Sequence, residues 1–332
     1  MNGRVVVTGA AGFIGSHLVR SLLELGYDVV GVDSFTPYYD PAAKRANVAG
    51  LAARDDWDGF RLVEGDLTRM RAERLERLVA GADAVVHEAG QPGVHLSWGR
   101  AFPAYLRHNV LATQRLLEAC TKAGVRRLVA ASSSSVYGDA PTYPTTEAAA
   151  TNPVSPYGVT KLAAEQLCLA YARPGVSDMT AVMLRYFTVY GPGQRPDMAF
   201  HRFIEAAYQG RPITVYGDGE QRRDVTYVAD AVRATVLAIT APATPDASAV
   251  VNVGGGRPVT VNQALDLVGQ VTGRRLEMVH APARPGDARH TGADGTRAEA
   301  LLDWRAEVDL ATGLAAQAAR IAGHDRAPAD IG

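Results

Sequence analysis

The sequence predicts an α/β protein with a doubly wound parallel sheet and a smaller C-terminal α/β domain. Short apolar runs alternate with helical stretches, the runs are apolar almost throughout, and a glycine-rich turn follows the first of them. Apolar strands between helices are typical of a parallel sheet that is covered on both faces. The predicted strands are Arg4–Thr8, Asp28–Asp33, Phe60–Glu64, Ala84–His87, Arg127–Ser132, Ala181–Tyr186 and Ala249–Val253.

Helical patterns lie between or after these strands. The predicted helices are Gly12–Leu25, Tyr105–Ala123, Pro156–Tyr171, Ala199–Gln209 and Val228–Ile239. After Phe187, loops and short elements replace the regular alternation. We therefore expect a larger domain formed by residues 1–186 and about 226–258, and a smaller one formed by residues 187–225 and about 259–325.

Composition and charge exclude several classes of protein. The chain has 332 residues, of which 47% are hydrophobic and 21% charged, and its net charge is −1. These values are typical of a globular protein and give no reason to expect nucleic acid or a membrane as a partner. Cys120 and Cys168 are isolated, and no histidine cluster has metal-ligand spacing. We expect two buried thiols, no metal site, no signal peptide and a cytoplasmic location.

The glycine-rich turn predicts a dinucleotide site in the larger, Rossmann-type domain. Gly9, Gly12 and Gly15 follow the first strand and begin the first helix, which also carries Phe13 and Ile14. A pyrophosphate needs backbone N–H donors at close range, and side chains would obstruct that approach. A purely structural glycine turn is the alternative.

Residues after the next strands extend this predicted cofactor site. Asp33 ends the second strand, where a carboxylate accepts hydrogen bonds from ribose hydroxyls and repels a 2′-phosphate. This favours NAD over NADP, although Lys44 and Arg45 would oppose the preference if they folded back. The other expected cofactor contacts are Ser34, Asp66, Leu67, Ala89, Gln91 and Asn109.

The run from Ser155 to Lys161 predicts a catalytic helix. Ser155 is a favourable N-cap, and Tyr157 and Lys161 are four residues apart, which places them on one helix face. A phenol is a weak base near neutral pH, but an adjacent ammonium and a positive nicotinamide ring both favour the phenolate. We expect Tyr157 to be the base, Lys161 its partner, and Ser133 to bridge the reacting hydroxyl. Tyr157 and Lys161 are also expected to contact the cofactor, with Lys161 hydrogen-bonding the nicotinamide ribose. Turn capping by Ser133 is the alternative.

These residues resemble the extended short-chain dehydrogenase/reductase family, specifically its nucleotide-sugar epimerases, decarboxylases and dehydratases. The likeness includes the glycine turn, Ser133, Val136-Tyr137-Gly138, the tyrosine–lysine pair, Arg223-Asp224 and Arg284–Asp287. It implies that the smaller domain binds the nucleotide sugar, and that Arg223, Arg284 and Asp287 contribute to that site.

Two stretches, Asp33–Arg45 and Leu184–Met198, look like those of UDP-glucuronate 4-epimerases. The resemblance implies bound NAD and a reaction in which Tyr157 removes the proton from the sugar O4 while C4 delivers hydride. The 4-keto sugar then turns, and hydride returns to its other face. UDP-glucuronate would thus become UDP-galacturonate.

A uronic substrate needs its carboxylate restrained, because the 4-keto sugar can lose carbon dioxide. The expected clamp is formed by Ser134, Ser135, Thr188 and Arg195. Related decarboxylases typically have glutamate at the position of Ser135, yet decarboxylation remains the first alternative. Neutral UDP-hexose epimerisation is the next, and a buried unpaired Arg195 would oppose it. Redox sensing without catalysis is the last.

Two further expectations come from the resemblance. Similar enzymes pair the helices corresponding to Tyr105–Ala123 and Pro156–Tyr171 across a two-fold axis, so we expect a homodimer. They also usually read His-Leu-Ala-Ala where this chain has His87-Glu88-Ala89-Gly90. No role follows for Glu88.

Overall fold

The computed structural model describes residues 2–52, 59–241, 248–282 and 288–323. Arg284 and Asp287 lie outside these ranges. The strands, in chain order, are β1 (Arg4–Thr8), β2 (Asp28–Asp33), β3 (Phe60–Glu64), β4 (Ala84–His87), β5 (Arg127–Ser133), β6 (Thr180–Tyr186), β7 (Thr188–Tyr190), β8 (Ile213–Tyr216), β9 (Arg222–Arg223), β10 (Val225–Tyr227), β11 (Ser248–Val253), β12 (Val259–Thr260) and β13 (Met278–Ala281).

The main sheet contains seven parallel strands in the order β11-β6-β5-β4-β1-β2-β3. β2 and β3 therefore lie on one side of β1, and β4, β5 and β6 lie on the other, so the strand order reverses between β1 and β4. Val6 of β1 lies opposite Val30 of β2 and Val85 of β4. In open α/β sheets a crevice forms beyond the carboxyl ends of the strands at such a reversal.

Helices cover both faces of the sheet. They are α1 (Phe13–Glu24), α2 (Pro41–Ala52), α3 (Ala72–Val79), α4 (Phe102–Tyr105), α5 (Ala112–Ala123), α6 (Pro156–Tyr171), α7 (Ala199–Gln209), α8 (Val228–Thr240), α9 (Val261–Thr272), α10 (Thr296–Leu302) and α11 (Leu310–Ile321). One core lies between the sheet and α1 and α8, and a second lies between the sheet and α3, α5 and α6. The predicted doubly wound sheet is therefore confirmed. No helix in the described ranges has the length and apolarity needed to cross a membrane.

The predicted elements agree with the structure to within about two residues, with one exception. The single helix expected over Tyr105–Ala123 is interrupted, because Leu106–Leu111 is π-helical and α5 begins only at Ala112. A π segment adds a residue to a turn and is often found at functional sites. Apolar periodicity does not reveal such an insertion.

A separate group of elements follows Phe187. Three two-stranded sheets pair β7 with β10, β8 with β13, and β9 with β12. Their helices, α7, α9 and α11, share a third core that includes Tyr190, Ile204, Val268 and Leu314. α10 lies in the segment expected to belong to the smaller domain, but its Ala298 and Leu302 pack into the core of the main sheet.

Candidate active site

A cavity of about 870 Å³ lies at the carboxyl ends of the main-sheet strands. It extends from the glycine turn to β8, so it contacts both groups of elements. The sequence-predicted residues that line it are Gly9, Gly12, Phe13, Ile14, Gly15, Asp33, Ser34, Asp66, Leu67, Ala89, Gln91, Asn109, Ser133, Ser134, Ser135, Tyr157, Lys161, Thr188, Arg195 and Arg223. Residues from distant parts of the sequence therefore meet in one cleft.

The glycine turn has the shape that a dinucleotide requires. Gly9 has φ +73°, and a Cβ there would lie 2.8 Å from the backbone nitrogen of Ala89. A Cβ on Gly15 would overlap the carbonyl oxygen of Gly9. The N-cap of α1, Gly12, offers no side-chain cap, so the first-turn N–H groups need another acceptor. These residues fit a pyrophosphate at the helix N-terminus.

Asp33 is held by the backbone at the far end of this turn. Its Oδ2 accepts from the Ala11 N–H at 3.1 Å, and its Oδ1 accepts from the Phe35 N–H at 2.8 Å. Each carboxylate oxygen retains a lone pair for a ribose hydroxyl. Lys44 does fold back into the cavity, where burial lowers its pKa. Arg45 instead forms an ion pair with Glu64 at 3.3 Å.

Asn109 fixes the loop after β4. Its Oδ1 accepts from the Gln91 N–H at 2.6 Å, and its Nδ2 donates to the Gln91 carbonyl at 3.0 Å. The same Nδ2 lies 3.0 Å from Thr160 Oγ1 on α6. Because Asn109 belongs to the π-helical segment, this segment joins the loop to the helix that carries Tyr157.

The catalytic helix begins as predicted. Ser155 caps α6 by accepting from the Gly158 N–H at 3.1 Å. Lys161 Nζ donates to the carbonyl oxygen of Ala131 in β5, which fixes the ammonium against the sheet edge. The Tyr157 ring packs edge-on to Tyr105, with 6.3 Å between ring centroids.

Ser133 ends β5, and its Oγ accepts from the Ser135 N–H at 3.1 Å. The capping interaction anticipated as an alternative is therefore present, and the same hydroxyl also lines the cavity. Ser134 and Ser135 follow in a short 3₁₀ turn. All three hydroxyls consequently come from one backbone segment at the end of the strand.

Arg195 lines the cavity but already has a partner. Its Nε and Nη2 donate to Asp197 at 2.9 and 3.1 Å, and Tyr38 donates to the same carboxylate at 3.1 Å. Burial, followed by the charge of Asp197, raises the pKa of Tyr38. The argument that an unpaired guanidinium opposes a neutral sugar is therefore wrong, because Asp197 neutralises it. No described residue accepts a hydrogen bond from its Nη1 group, which can therefore donate to a ligand.

Arg223 and Thr188 lie at the other side of the cavity. Arg223 Nη1 donates to the carbonyl oxygens of Arg222 and Arg289, at 2.9 and 3.3 Å. Thr188 begins β7, and its N–H donates to the Asp224 carbonyl at 3.3 Å. Both residues are thus positioned by backbone contacts of the small sheets.

Sequence reasoning missed a buried polar network behind the serine segment. Glu165 of α6 accepts two hydrogen bonds from Arg185 of β6, at 2.6 and 3.0 Å. Ser132 Oγ donates to the same carboxylate at 2.6 Å. The only signal in the sequence is an arginine inside an otherwise apolar strand. The network links α6 to β5 and β6, on which Tyr157 and Ser133 depend.

Glu88, for which no role was predicted, also lines the cavity. Its Oε1 lies 2.8 Å from the hydroxyl of Tyr186. Burial raises the pKa of Glu88 to about 7. The neighbouring His87 is bound by Thr8 and Thr113 at 2.7 and 2.9 Å and is a satisfied core histidine.

Known proteins share this architecture. The chain is 39% identical over 315 residues to an uncharacterised UDP-glucose epimerase, YtcB, of Bacillus subtilis (strain 168), covering 94% of this chain and 95% of YtcB. The structure of UDP-glucuronic acid 4-epimerase from Bacillus cereus in complex with UDP-glucuronic acid and NAD is 38% identical, with TM-score 0.90, covering 97% and 99% of the two chains.

MoeE5 is a second solved relative. Its complex with UDP-glucuronic acid and NAD is 45% identical to this chain, with TM-score 0.86, over 97% of this chain and 100% of MoeE5. MoeE5 has also been seen in complex with UDP-glucose and NAD. A family model matches residues 5–254, which include the glycine turn, the serine segment and the tyrosine–lysine pair. The chain belongs to the NAD dependent epimerase/dehydratase family.

Proposed function

We propose that this protein is an NAD-dependent UDP-glucuronate 4-epimerase, which interconverts UDP-glucuronate and UDP-galacturonate. The observation that carries this function is the cavity that brings Ser133, Tyr157 and Lys161 together with the glycine turn and Arg195. The solved relatives that hold both NAD and UDP-glucuronic acid support it.

NAD supplies a hydride acceptor that is regenerated in each turnover. In the proposed mechanism Tyr157 takes the proton from the sugar O4 and later returns it. Lys161 favours the phenolate by its charge. Ser133 hydrogen-bonds the reacting oxygen. The dinucleotide is held by the glycine turn and Asp33, with Ser34, Asp66, Leu67, Ala89, Gln91 and Asn109 around it.

The sugar side of the cavity restrains the uronate. We assign its carboxylate to Ser134, Ser135 and Thr188, with Arg195 donating hydrogen bonds through its Nη1 group. Held there, the C5–C6 bond stays out of line with the carbonyl π system at C4, and carbon dioxide is retained. Neither Ser134 nor Ser135 is acidic, so nothing at these positions serves dehydration at C5 and C6.

The nucleotide is assigned to the smaller domain. We divide the chain into an NAD-binding Rossmann domain, residues 1–186 and about 226–258, and a nucleotide-sugar domain, residues 187–225 and about 259–325. Arg223 would contact the pyrophosphate, since a guanidinium fork suits phosphate oxygens. Arg284 and Asp287 keep the same proposed role, although they lie outside the described residues.

Incubation of the purified protein with UDP-glucuronate, followed by proton NMR, tests this function. UDP-galacturonate is the expected product, with no added reductant or oxidant. Release of UDP-xylose or a UDP-4-keto-pentose would instead identify a decarboxylase. Unchanged substrate in the presence of bound NAD would indicate a sensor.

Arg195→Ala should raise KM for UDP-glucuronate by about 10- to 100-fold, the loss expected for one charge-assisted hydrogen bond. UDP-glucose, which has no carboxylate, is the matched control and should lose less. The products of the variant are also examined for UDP-xylose, since a loosened carboxylate can align for carbon dioxide loss. Equal losses with both substrates would contradict the role of Arg195 in uronate binding.

A second candidate substrate is neutral UDP-glucose. The pairing of Arg195 with Asp197 leaves the empty site without an uncompensated charge, which removes an obstacle to an uncharged sugar. The same NMR experiment with equal amounts of the two substrates distinguishes the candidates. We expect UDP-glucuronate to be consumed first.

We also propose that the protein is a cytoplasmic homodimer. Leu106, Leu111 and Val159 are each between 45% and 49% exposed on two neighbouring helical segments, which suits an apolar helix pairing. Cys120 and Cys168 are free and buried, consistent with a reducing compartment. Light scattering that gives the mass of one chain would contradict the dimer.

A further inference from the structure

Glu88 is a carboxyl group inside the proposed cofactor cleft, at a position where the enzymes that this chain resembles have leucine. It follows β4 and faces three other elements. The positive charge of Lys161 on α6 lowers the pKa of Glu88. The hydroxyl of Tyr186 on β6 contacts Glu88 directly. Thr235 of α8 contacts Tyr186. At the end of β4, burial lowers the pKa of the preceding residue, His87, to about 3, so its imidazole stays neutral.

Glu88 ends a chain of three close polar contacts that can all be hydrogen bonds at once only when Glu88 carries a proton. Glu88 Oε1 lies 2.8 Å from the Tyr186 hydroxyl, which lies 2.7 Å from Thr235 Oγ1. Thr235 Oγ1 in turn lies 2.8 Å from the carbonyl oxygen of Ala231. Three contacts need three protons, but the two hydroxyls supply only two, and a carbonyl and a carboxylate only accept. A protonated Glu88 supplies the third.

The electrostatics agree with this proton count. Burial raises the pKa of Glu88 to about 7 and outweighs the hydrogen bond from Tyr186 and the charge of Lys161, which both lower it. Burial and then the charge of Glu88 raise the pKa of Tyr186 well above its usual value. Tyr186 therefore keeps its proton, and Glu88 is the member of the chain that titrates near neutrality.

We propose that Glu88 holds a proton in the nucleotide-free cleft and releases it to solvent when the positive nicotinamide ring of NAD⁺ is bound. This inference rests on the proposed NAD site. The oxidised cofactor is then bound beside a carboxylate, and NADH, whose ring is neutral, beside a carboxylic acid. Glu88 is accordingly a tuning residue that favours NAD⁺ over NADH, and the preference depends on pH.

The sign of this dependence follows from linkage. At high pH Glu88 is already ionised, so NAD⁺ binding meets no opposition. At low pH a proton must leave first, so NAD⁺ affinity falls by up to about tenfold per pH unit. NADH binding is not opposed in this way. The ratio of bound NAD⁺ to bound NADH should therefore rise as the pH increases toward about 7, the pKa of Glu88 in the nucleotide-free protein, and level off above it.

The test uses Tyr157→Phe as the parent, because the Tyr157 phenol is a second group in the cleft whose ionisation would respond to the ring. Full-length protein is equilibrated with a mixture of NAD⁺ and NADH at several pH values, and the bound nucleotides are extracted and quantified. The parent should show a ratio that rises several-fold with pH. Adding Glu88→Gln should make the ratio flat, as should Glu88→Leu if the amide variant fails to fold.

A third variant probes the hydrogen-bond chain itself. Thr235→Val in the same parent frees the Tyr186 proton to stabilise the carboxylate, so the rise should move to lower pH. If the ratio rose over the same pH range as in the parent, the hydrogen-bond chain would not be what sets the pKa of Glu88. A ratio that is flat in the parent, or still pH-dependent without Glu88, would overturn the inference. No sugar is present, so these results are independent of epimerisation, whereas protein that binds neither nucleotide would overturn both proposals.

Discussion

Tyr157→Phe is expected to lower turnover of UDP-glucuronate by about 10²- to 10⁴-fold, the range over which a positioned general base acts. The change removes one oxygen and leaves the ring, so its edge-on packing against Tyr105 is retained. Lys161 remains fixed by the Ala131 carbonyl. The loss should therefore fall on kcat, with KM nearly unchanged. Steady-state kinetics with UDP-glucuronate measure both.

Two controls show whether the loss is chemical. The NAD content of the purified variant should match that of the wild type, because the phenol is not among the groups that form the glycine turn. Its midpoint of urea unfolding should also be unchanged. Wild-type kcat in Tyr157→Phe would refute the role of this residue as base.

Glu165→Ala is expected to lower the free energy of unfolding by about 3–5 kcal/mol, the usual cost of breaking a buried ion pair. Arg185 and Glu165 have side chains that are only 5% and 0% exposed, so the guanidinium would be left buried without its carboxylate. The Ser132 hydroxyl would lose its acceptor as well. Urea titration followed by circular dichroism measures the change.

A surface pair provides the matched control. Glu205 and Arg211 are 3.0 Å apart, with side chains 40% and 57% exposed. Exposed pairs contribute at most about 1 kcal/mol, so Glu205→Ala should change stability little. If the two variants lost the same stability, the network behind the serine segment would not be a stabilising element.

Much of the fold could be predicted because the signals are local. Strand bounds follow from apolar runs, and the start of α6 follows from Ser155 and Pro156, which cap and begin it. The cleft could be anticipated because parallel strands end at one edge, which brings together Gly9, Ser133 and Tyr157.

The remainder depends on pairing between distant side chains, which periodicity does not encode. Asp197 stands two residues from Arg195, yet their bidentate pairing was not evident from the motif. In the sequence Arg185 only interrupts an apolar strand, and its partner Glu165 is evident only from the structure. The π-helical segment likewise contains Asn109, whose hydrogen bonds to Gln91 and Thr160 join residues far apart in the sequence.

The placement of Asn109 has a consequence for how long the dinucleotide stays in place. One side-chain amide holds the loop after β4 by two hydrogen bonds and α6 by a third. Swinging that loop outward would break the two bonds to Gln91 together, at a net cost of about 1 kcal/mol each. Loss of the dinucleotide is thereby slowed by the residue that also contacts the catalytic helix, which suits an enzyme that reuses one NAD molecule over many turnovers.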